Sequence, residues 1–279
     1  MGWRGRCQGW RGEMGVGYDG WGLMASAGGR RKNRIRNEGD AVANPEHVEI
    51  LKQGVEVWNK WRNKNPNIEP DLREASFVFV HLSGVNLSCA KLNDAEFYGA
   101  ELKGSNLSGA DLDSVHLGSA NLGKANLSGA SLILANLAET NLIKTVLRRA
   151  DLTMANLRKA TLQEAKFSEA DLWSADLTNA DLSGADFSAT DLRRANFSET
   201  NLNGVNLRGA KIGRTIFTNM DLSKAVGLKY LRHEGPSTIG IDTLFLSKGK
   251  IPESFLRGCG VPEDFIKWPL TSWEYVEVP

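Results

Sequence analysis

Residues 170–189 read ADLWSADLTNADLSGADFSA and contain one five-residue unit four times. Each unit has a small residue, an acidic residue and a large apolar residue, followed by two variable positions. The large residue recurs in phase from Leu72 to Leu222, where Leu, Phe or Ile fills all 31 positions. Two residues before each of these centres the chain is usually Ala, and the residue just before is typically Asp or Asn. The sequence is therefore dominated by one internal repeat.

A five-residue period matches neither the 3.6-residue period of an α-helix nor the alternation of a β-strand. Leucines at this spacing would spread around the whole circumference of a helix, and the Asn, Ser and Gly content disfavours one. A chain that turns a corner once per unit explains the pattern, because each short side then buries one large and one small side chain. Representative core centres are Leu112, Leu132, Leu152, Leu172, Phe187 and Phe197.

The unit Ala170-Asp171-Leu172-Trp173-Ser174 and its unbroken register resemble the pentapeptide-repeat family over about 150 residues. The resemblance implies an all-β solenoid, a right-handed quadrilateral β-helix with four units per coil and about eight coils, over residues 67–226. It also implies a binding scaffold and not an enzyme. The ends of a solenoid expose backbone edges and an apolar cross-section, so we expect a cap at each end.

An N-terminal capping helix is predicted for residues 44–66. Asn44-Pro45-Glu46 is typical of a helix start, with Asn as N-cap and Pro at the first helical position. Apolar residues then recur at three- and four-residue spacing, and Pro66 ends the pattern. Residues 1–43 are rich in Gly, Arg and Trp without a period, and we interpret them as a disordered or mis-assigned tail.

A small helical C-terminal cap is predicted for residues 227–279, with helices near 239–248, 252–258 and 262–268. Residues 235–242 and 247–252 resemble the segment that leads into a TIR domain in some cyanobacterial-type members of the family. The N-terminal leader resembles those members as well. No TIR domain is recognisable after this segment, so the resemblance implies a retained cap without the effector.

Motifs that would support catalysis or cofactor binding are weak. The sequence Gly15-Val16-Gly17-Tyr18-Asp19-Gly20 spells a dinucleotide-binding fingerprint but lacks the strand and helix that this motif requires. The histidines show no metal-ligand spacing, and no paired carboxylates occur outside repeat positions. We therefore expect no catalytic residues, no cofactor and no metal.

Charge and composition favour a cytoplasmic protein. The formal net charge is +1 over 279 residues, and no stretch approaches the roughly 20 apolar residues of a membrane span. Three widely separated cysteines, Cys7, Cys89 and Cys259, favour a reducing compartment without disulfides. The basic run Arg30–Arg36 is interpreted as solvated chain, so neither nucleic acid nor a membrane is expected as a partner.

Four units per coil bring residues 20 positions apart together on one side of the rod. Ile133, Leu134, Met154 and Trp173 are then expected to be exposed neighbours on successive coils, which we call the axial patch. A cluster of exposed apolar residues is typical of an interface, so the patch predicts a protein partner or self-association, for example as a homodimer. On another side Asn86, Asn106, Asn126 and Asn206 are expected to stack as a structural amide ladder.

The leading functional hypothesis is a non-enzymatic protein-interaction scaffold with an unidentified partner. One alternative is a DNA-mimicking topoisomerase (gyrase) inhibitor, which needs a duplex-like array of negative charge. Residues 71–225 carry a net charge of only −2, and basic pairs such as Arg148-Arg149 and Arg193-Arg194 interrupt the acidic positions. A second alternative is an adaptor in a TIR-type signalling system.

Overall fold

The computed structural model describes residues 43–267. From Asp71 onward, parallel bridges join residues 20 positions apart, from Asp71–Lys91 to Asn206–Val226. Bridges recur every five residues, so each coil has four short sides. We name these sides after the residues that form their first bridges: Asp71, Ser76, His81 and Asn86.

The large centres pack along the axis of this solenoid. The six representative centres are at most 1% exposed, and the rings of Phe167 and Phe187, one coil apart, stack with centroids 4.5 Å apart. Small residues two positions earlier are buried as well. Where Thr takes the place of Ala, as at Thr190, its hydroxyl donates to the Phe167 carbonyl at 3.1 Å. This hydrogen bond explains how a polar side chain is accommodated in the core.

The residue before each centre closes a tight turn with its side chain. Oδ1 of Asp171 accepts a hydrogen bond from the Trp173 N–H at 2.9 Å, and Asp181 bonds the Ser183 N–H in the same way at 3.1 Å. Asp and Asn suit this role because their short side chains reach the backbone two residues on. The preference for Asp and Asn in the repeat therefore has a local structural cause.

The second residue after a centre adopts a left-handed backbone conformation in almost every unit. Its φ is near +60° at residues as different as Leu134 and Glu199, and glycine takes the same place at Gly104. No Val, Ile or Thr occupies these positions between residues 74 and 219. A β-branched side chain is most disfavoured there because its Cβ substituents clash with the backbone.

Two helices precede the first coil, α1 (Pro45–Lys52) and α2 (Val55–Lys64). Asn44 is the N-cap, since its Oδ1 accepts a hydrogen bond from the Glu46 N–H at 2.9 Å. The expectation of one helix over 44–66 is wrong, because Gly54, with φ +104°, interrupts the helix and separates α1 from α2.

Beyond the repeat, the chain pairs with the last coil before forming short helices. Strand β1 (Lys211–Ile212) is parallel to β3 (Arg232–His233), and β2 (Ile216–Phe217) is parallel to β4 (Thr238–Ile239). A 3-10 turn lies between β2 and β3, at Leu228–Tyr230. The three expected helices are present with shorter bounds: α3 (Ile241–Leu246), α4 (Glu253–Gly258) and α5 (Glu263–Ile266).

None of the helices within residues 43–267 has the length and apolar character of a membrane span. Cys259 is a free, buried thiol, and burial raises its pKa to about 12. Cys89 is disulfide-bonded, which contradicts the expectation that the cysteines are unpaired. Apart from Ala43, the expected N-terminal tail lies outside the described residues, as do the Gly15–Gly20 motif and the basic run Arg30–Arg36.

Candidate protein-binding surface

The axial patch lies on the Asp71 side of three consecutive coils. The N–H of Leu134 donates to the Thr153 carbonyl at 3.0 Å, and the N–H of Met154 donates to the Trp173 carbonyl at 2.9 Å. Neighbouring strands in such a ladder are about 4.8 Å apart. The solenoid thus holds these side chains in a row parallel to its axis.

Exposure differs among the four residues of the patch. Leu134 and Met154 are 55% and 45% exposed, whereas Ile133 and Trp173 are half-buried. The expectation that all four are exposed is therefore wrong for two of them. The reason lies in position within the unit: Leu134 and Met154 occupy the left-handed position, while Ile133 and Trp173 immediately follow a buried centre.

Trp173 is covered in part by a residue of the next coil. The guanidinium carbon of Arg194 lies 5.1 Å from the centroid of the Trp173 ring, a cation–π geometry. The neighbouring Arg193 points to a different partner, and its Nε and Nη2 donate to the Asp191 carboxylate at 2.9 and 2.6 Å. The basic pair Arg193-Arg194 is thus divided between an ion pair and an aromatic ring.

A column of carboxylates runs beside the patch on the same side. Asp171 is bridged to Asp151 in the preceding coil and to Asp191 in the next. Burial raises the pKa of Asp171, and its acidic neighbours Asp191 and Asp151 raise it further. Burial also raises the pKa of Asp191, but the hydrogen bonds from Arg193 outweigh this effect and hold that pKa below its ordinary value. Asp151 and Asp171 therefore lie beside the patch, and the ion pair between Asp191 and Arg193 lies one coil further towards the C-terminal end.

The amide ladder on the Asn86 side is present in part. Nδ2 of Asn106 donates to Oδ1 of Asn86 at 3.3 Å, and Nδ2 of Asn206 donates to Asp186 at 2.9 Å. Asn126 closes the turn in its own unit by accepting a hydrogen bond from the Ser128 N–H at 3.1 Å. These contacts lie within the solenoid wall, which fits a structural role.

A second exposed apolar cluster, which the sequence analysis missed, lies on the Ser76 side of the first two coils. Val78, Phe79 and Tyr98 are 41%, 66% and 48% exposed, and the Phe79 and Tyr98 rings meet edge to face with centroids 5.6 Å apart. Phe79 lies over Gly99, which has no Cβ to displace the ring. The run FVFV at residues 77–80 was the available signal.

Among residues 43–267, no group of three or more His, Cys, Asp or Glu side chains is arranged to hold a metal ion. The column of carboxylates on the Asp71 side is instead used in turns and ion pairs with the chain itself. The chemistry that this surface offers is apolar contact, a cation–π pair and carboxylate hydrogen bonding.

The profile of the family described as pentapeptide repeats (8 copies) matches residues 75–113, 110–149, 155–194 and 190–226, more than half of the chain. The chain belongs to the pentapeptide-repeat family. The fold of this family is the right-handed quadrilateral β-helix, in agreement with the four-sided coils described above.

Several solved pentapeptide-repeat structures are similar to this chain. HetL, involved in heterocyst differentiation regulation in the cyanobacterium Nostoc sp. strain PCC 7120, is 25% identical over 66% of this chain and 91% of its own, with a TM-score of 0.28. The Nostoc protein alr5209 is 40% identical over 38% of this chain and 83% of its own, with a TM-score of 0.27.

A trypsin-treated form of QnrB1, a plasmid-mediated fluoroquinolone resistance protein, is 19% identical over 58% of this chain and 81% of its own, with a TM-score of 0.42. No curated protein matches the chain in sequence.

Proposed function

We propose that this pentapeptide-repeat protein is a non-enzymatic scaffold that binds a protein partner, or a second copy of itself, through the axial patch. The observation that carries the proposal is the row formed by Leu134 and Met154 on adjacent coils. Both side chains are about half exposed, and the half-buried Trp173 continues the row. The hydrogen-bond ladder already fixes the backbone of this row, so binding there orders less of the chain than binding to a flexible loop would.

The distribution of charge supports a protein-binding role over mimicry of DNA. Basic and acidic side chains on successive coils face each other, as in Arg149–Glu169 at 2.9 Å, Lys144–Glu164 at 3.4 Å and Lys159–Glu139 at 3.8 Å. These pairs neutralise carboxylates on the other three sides of the rod, and the column of carboxylates beside the axial patch is short, because Ser131 interrupts it on one side and Arg193 pairs with Asp191 on the other. A DNA mimic depends on a continuous negative track.

We propose further that residues 67–226 form a rod of about eight coils and that residues 44–66 cap its N-terminal end. We propose residues 227–279 as the cap of the other end, of which residues 268–279 lie outside the described part of the chain. Support at the first end comes from Leu51 and Trp58, which are at most 1% exposed against the first coil. At the other end, the ring of Phe255 meets Phe217 edge to face at 5.8 Å. We propose the cytoplasm as the location.

The test of this function combines two substitutions in the patch, Leu134→Lys and Trp173→Ser. The matched control is Ile143→Lys, at the same place in its unit as Trp173 but on the His81 side. Sedimentation of the purified chain measures self-association, and affinity capture from the native host measures partner binding. We expect the patch variant to lose the partner or the self-association while its circular dichroism and melting temperature stay close to those of the control. Retention of the same partners and the same mass by the patch variant would overturn the proposal.

A further inference from the structure

The two ends of the solenoid differ in how they satisfy their backbone groups. At the C-terminal end, β3 and β4 pair with two sides of the last coil. On a third side, the N–H of Leu222 donates to Oγ of Ser247 at 3.0 Å, and on the fourth the N–H of Leu207 donates to the Val226 carbonyl at 2.8 Å. Each side of this end therefore has a partner for its edge.

At the N-terminal end, the helices bond the bridge residues of two of the four sides. On the Asp71 side, the N–H of Asp71 donates to Nδ1 of His47 at 3.0 Å, and its carbonyl accepts a hydrogen bond from the Asn44 N–H at 3.0 Å. On the Asn86 side, Nε1 of Trp58 donates to the Asn86 carbonyl at 2.8 Å, and Oδ1 of Asn59 accepts from the Asn86 N–H at 2.9 Å. Polar side chains of α1 and α2 thus replace a preceding coil on these two sides.

On the His81 side, the helices make a single hydrogen bond among residues 43–267, from Nδ2 of Asn59 to the Gly84 carbonyl at 3.1 Å, and on the Ser76 side they make none. No group within residues 43–267 bonds the N–H or the carbonyl of Ser76 or His81, or the carbonyls of Val78 and Ser83. One coil later the equivalent groups are bonded, for instance from the Glu96 N–H to the Ala75 carbonyl at 3.0 Å. Ser76, Val78, His81 and Ser83 are all exposed. The first coil therefore ends in an open β-edge along two adjacent sides, which we call the open edge.

Natural sheets usually protect such an edge with charged residues, proline or a covering element. The stretch that forms the open edge lacks charged residues and proline, because residues 75–90 contain neither Asp, Glu, Lys, Arg nor Pro. Instead it begins with the apolar run FVFV at residues 77–80. An uncharged edge rich in β-branched and aromatic residues is suited to pairing with another strand.

The exposed aromatic pair adjoins the open edge on the same side. Phe79 follows Val78 in the first coil, and Tyr98 occupies the place equivalent to Val78 in the second coil. Their edge-to-face contact and the room provided by Gly99 hold the Phe79 ring against the wall with 66% of it exposed. Hydrogen-bonding groups and an apolar anchor therefore lie side by side.

The position of α1 and α2 favours an extended strand over a second, stacked copy of the chain as the occupant of the open edge. Strands pair at about 4.8 Å, whereas a helix with its side chains is about 10 Å across. Because α1 and α2 lie on the same end as the open edge, they would hold the edges of two stacked copies too far apart to hydrogen-bond. A single extended segment beside the helices meets no such obstacle.

We propose that the Ser76 side of the open edge is a β-augmentation site for an extended segment of a partner protein, with an apolar side chain of that segment seated on Phe79 and Tyr98. Main-chain hydrogen bonds to Ser76 and Val78 supply affinity, and the aromatic pair supplies selectivity. This site and the axial patch share no residues, so the inference does not depend on the function proposed for that patch.

The probe for this site is a library of random decapeptides displayed on phage, selected on the full chain. Val78→Lys places a charge at the open edge, and its matched control is Ala138→Lys, at the same place in its unit and on the same side three coils later. We expect the selected peptides to bind the chain and the Ala138→Lys variant equally, and the Val78→Lys variant about tenfold more weakly or worse. N-methylation of alternate peptide amides is expected to cause a loss of similar size, because it removes main-chain donors.

Three results would overturn this proposal: a selection that enriches no peptide, equal binding to the Val78→Lys variant, or binding that N-methylation leaves unchanged. Thermal unfolding of both variants establishes that the rod is intact in each. The patch variant with Leu134→Lys and Trp173→Ser is expected to bind the same peptides normally, so failure at one surface is distinguishable from failure at the other.

Discussion

Arg194 lies over the indole ring of Trp173, with 5.1 Å between the guanidinium carbon and the ring centroid. The two residues belong to consecutive coils. Trp173 directly follows its centre, whereas Arg194 is the second residue after the centre of the next coil. The contact leaves Trp173 half-buried while Leu134 and Met154 remain exposed. A partner at the axial patch therefore meets two aliphatic side chains first and the aromatic ring only at its uncovered part.

Removal of the Arg194 side chain is expected to uncover Trp173 without unfolding the rod. A cation–π pair near the surface contributes about 0.5–1 kcal/mol, so Arg194→Ala should lower the free energy of unfolding by no more than that. Hydroxyl-radical footprinting read by mass spectrometry should show greater oxidation of Trp173. Arg193→Ala is the control, because Arg193 bonds Asp191 and not the ring. Equal oxidation of Trp173 in the two variants would contradict the contact.

The cap proposed for the N-terminal end is tested by Trp58→Ala. Trp58 is fully buried and its Nε1 donates to the Asn86 carbonyl, so truncation removes apolar contacts and leaves that carbonyl without its donor. We expect a loss of about 3–5 kcal/mol in the free energy of unfolding. Val57→Ala, on the exposed part of α2, should cost little. Hydrogen exchange should accelerate in the first coil before the last one; uniform acceleration would argue against a cap.

The core of the solenoid could be predicted from the sequence because one rule fixes it. A five-residue register places Leu112 or Phe187 on the axis whatever surrounds them, and both are at most 1% exposed. The exposure of the axial patch could not be predicted in the same way. Coil arithmetic brings Trp173 and Arg194 to consecutive coils, but the cation–π contact depends on how the long Arg194 side chain is oriented.

The open edge shows a different limit of sequence reasoning. The five-residue register predicts that Ser76 and His81 form bridges, and they do so with the next coil. Whether their other edge is covered depends on where α1 and α2 lie, and helix periodicity contains no such information. The break at Gly54 sets that placement, because it separates α1, which bonds Asp71, from α2, which bonds Asn86.

The left-handed position of the repeat makes a prediction about substitution at Glu199. Its φ is +60°, and no ion pair or side-chain hydrogen bond of Glu199 is found among the described residues. Glu199→Val should lower the free energy of unfolding by about 1–2 kcal/mol, because a β-branched residue is strained there. Glu199→Gly should be neutral or stabilising by up to about 1 kcal/mol. Denaturant unfolding measures both.

A control for this prediction is Asn203→Val. Asn203 is exposed and lies outside the left-handed set, so the same valine should change the free energy of unfolding by less than about 0.5 kcal/mol. Equal costs at residues 199 and 203 would mean that the backbone conformation does not determine the tolerance of the repeat.

Two carboxylates at equivalent places on the Asp71 side, Asp171 and Asp191, are expected to respond to substitution by Asn with opposite changes in melting temperature. Burial, Asp191 and Asp151 raise the pKa of Asp171, so its ionised form costs stability at neutral pH. Asp171→Asn removes that charge and keeps an oxygen to accept the Trp173 N–H, and it should raise the melting temperature at pH 7. The penalty is complete above the folded-state pKa and absent below the unfolded value of about 3.9. The difference from the unmodified chain should therefore disappear as the pH falls below about 3.9.

Asp191→Asn is the matched comparison, one coil further along the same side. Hydrogen bonds from Arg193 hold the pKa of Asp191 below its ordinary value despite burial, which would raise it. The ionised form of Asp191 thus stabilises the fold above the unfolded value of about 3.9, and this contribution is lost as the pH falls through the folded-state pKa. Asp191→Asn should lower the melting temperature at pH 7 and have progressively less effect in acid. Shifts of the same sign for both variants at pH 7 would show that the two carboxylates do not differ in the way that their partners imply.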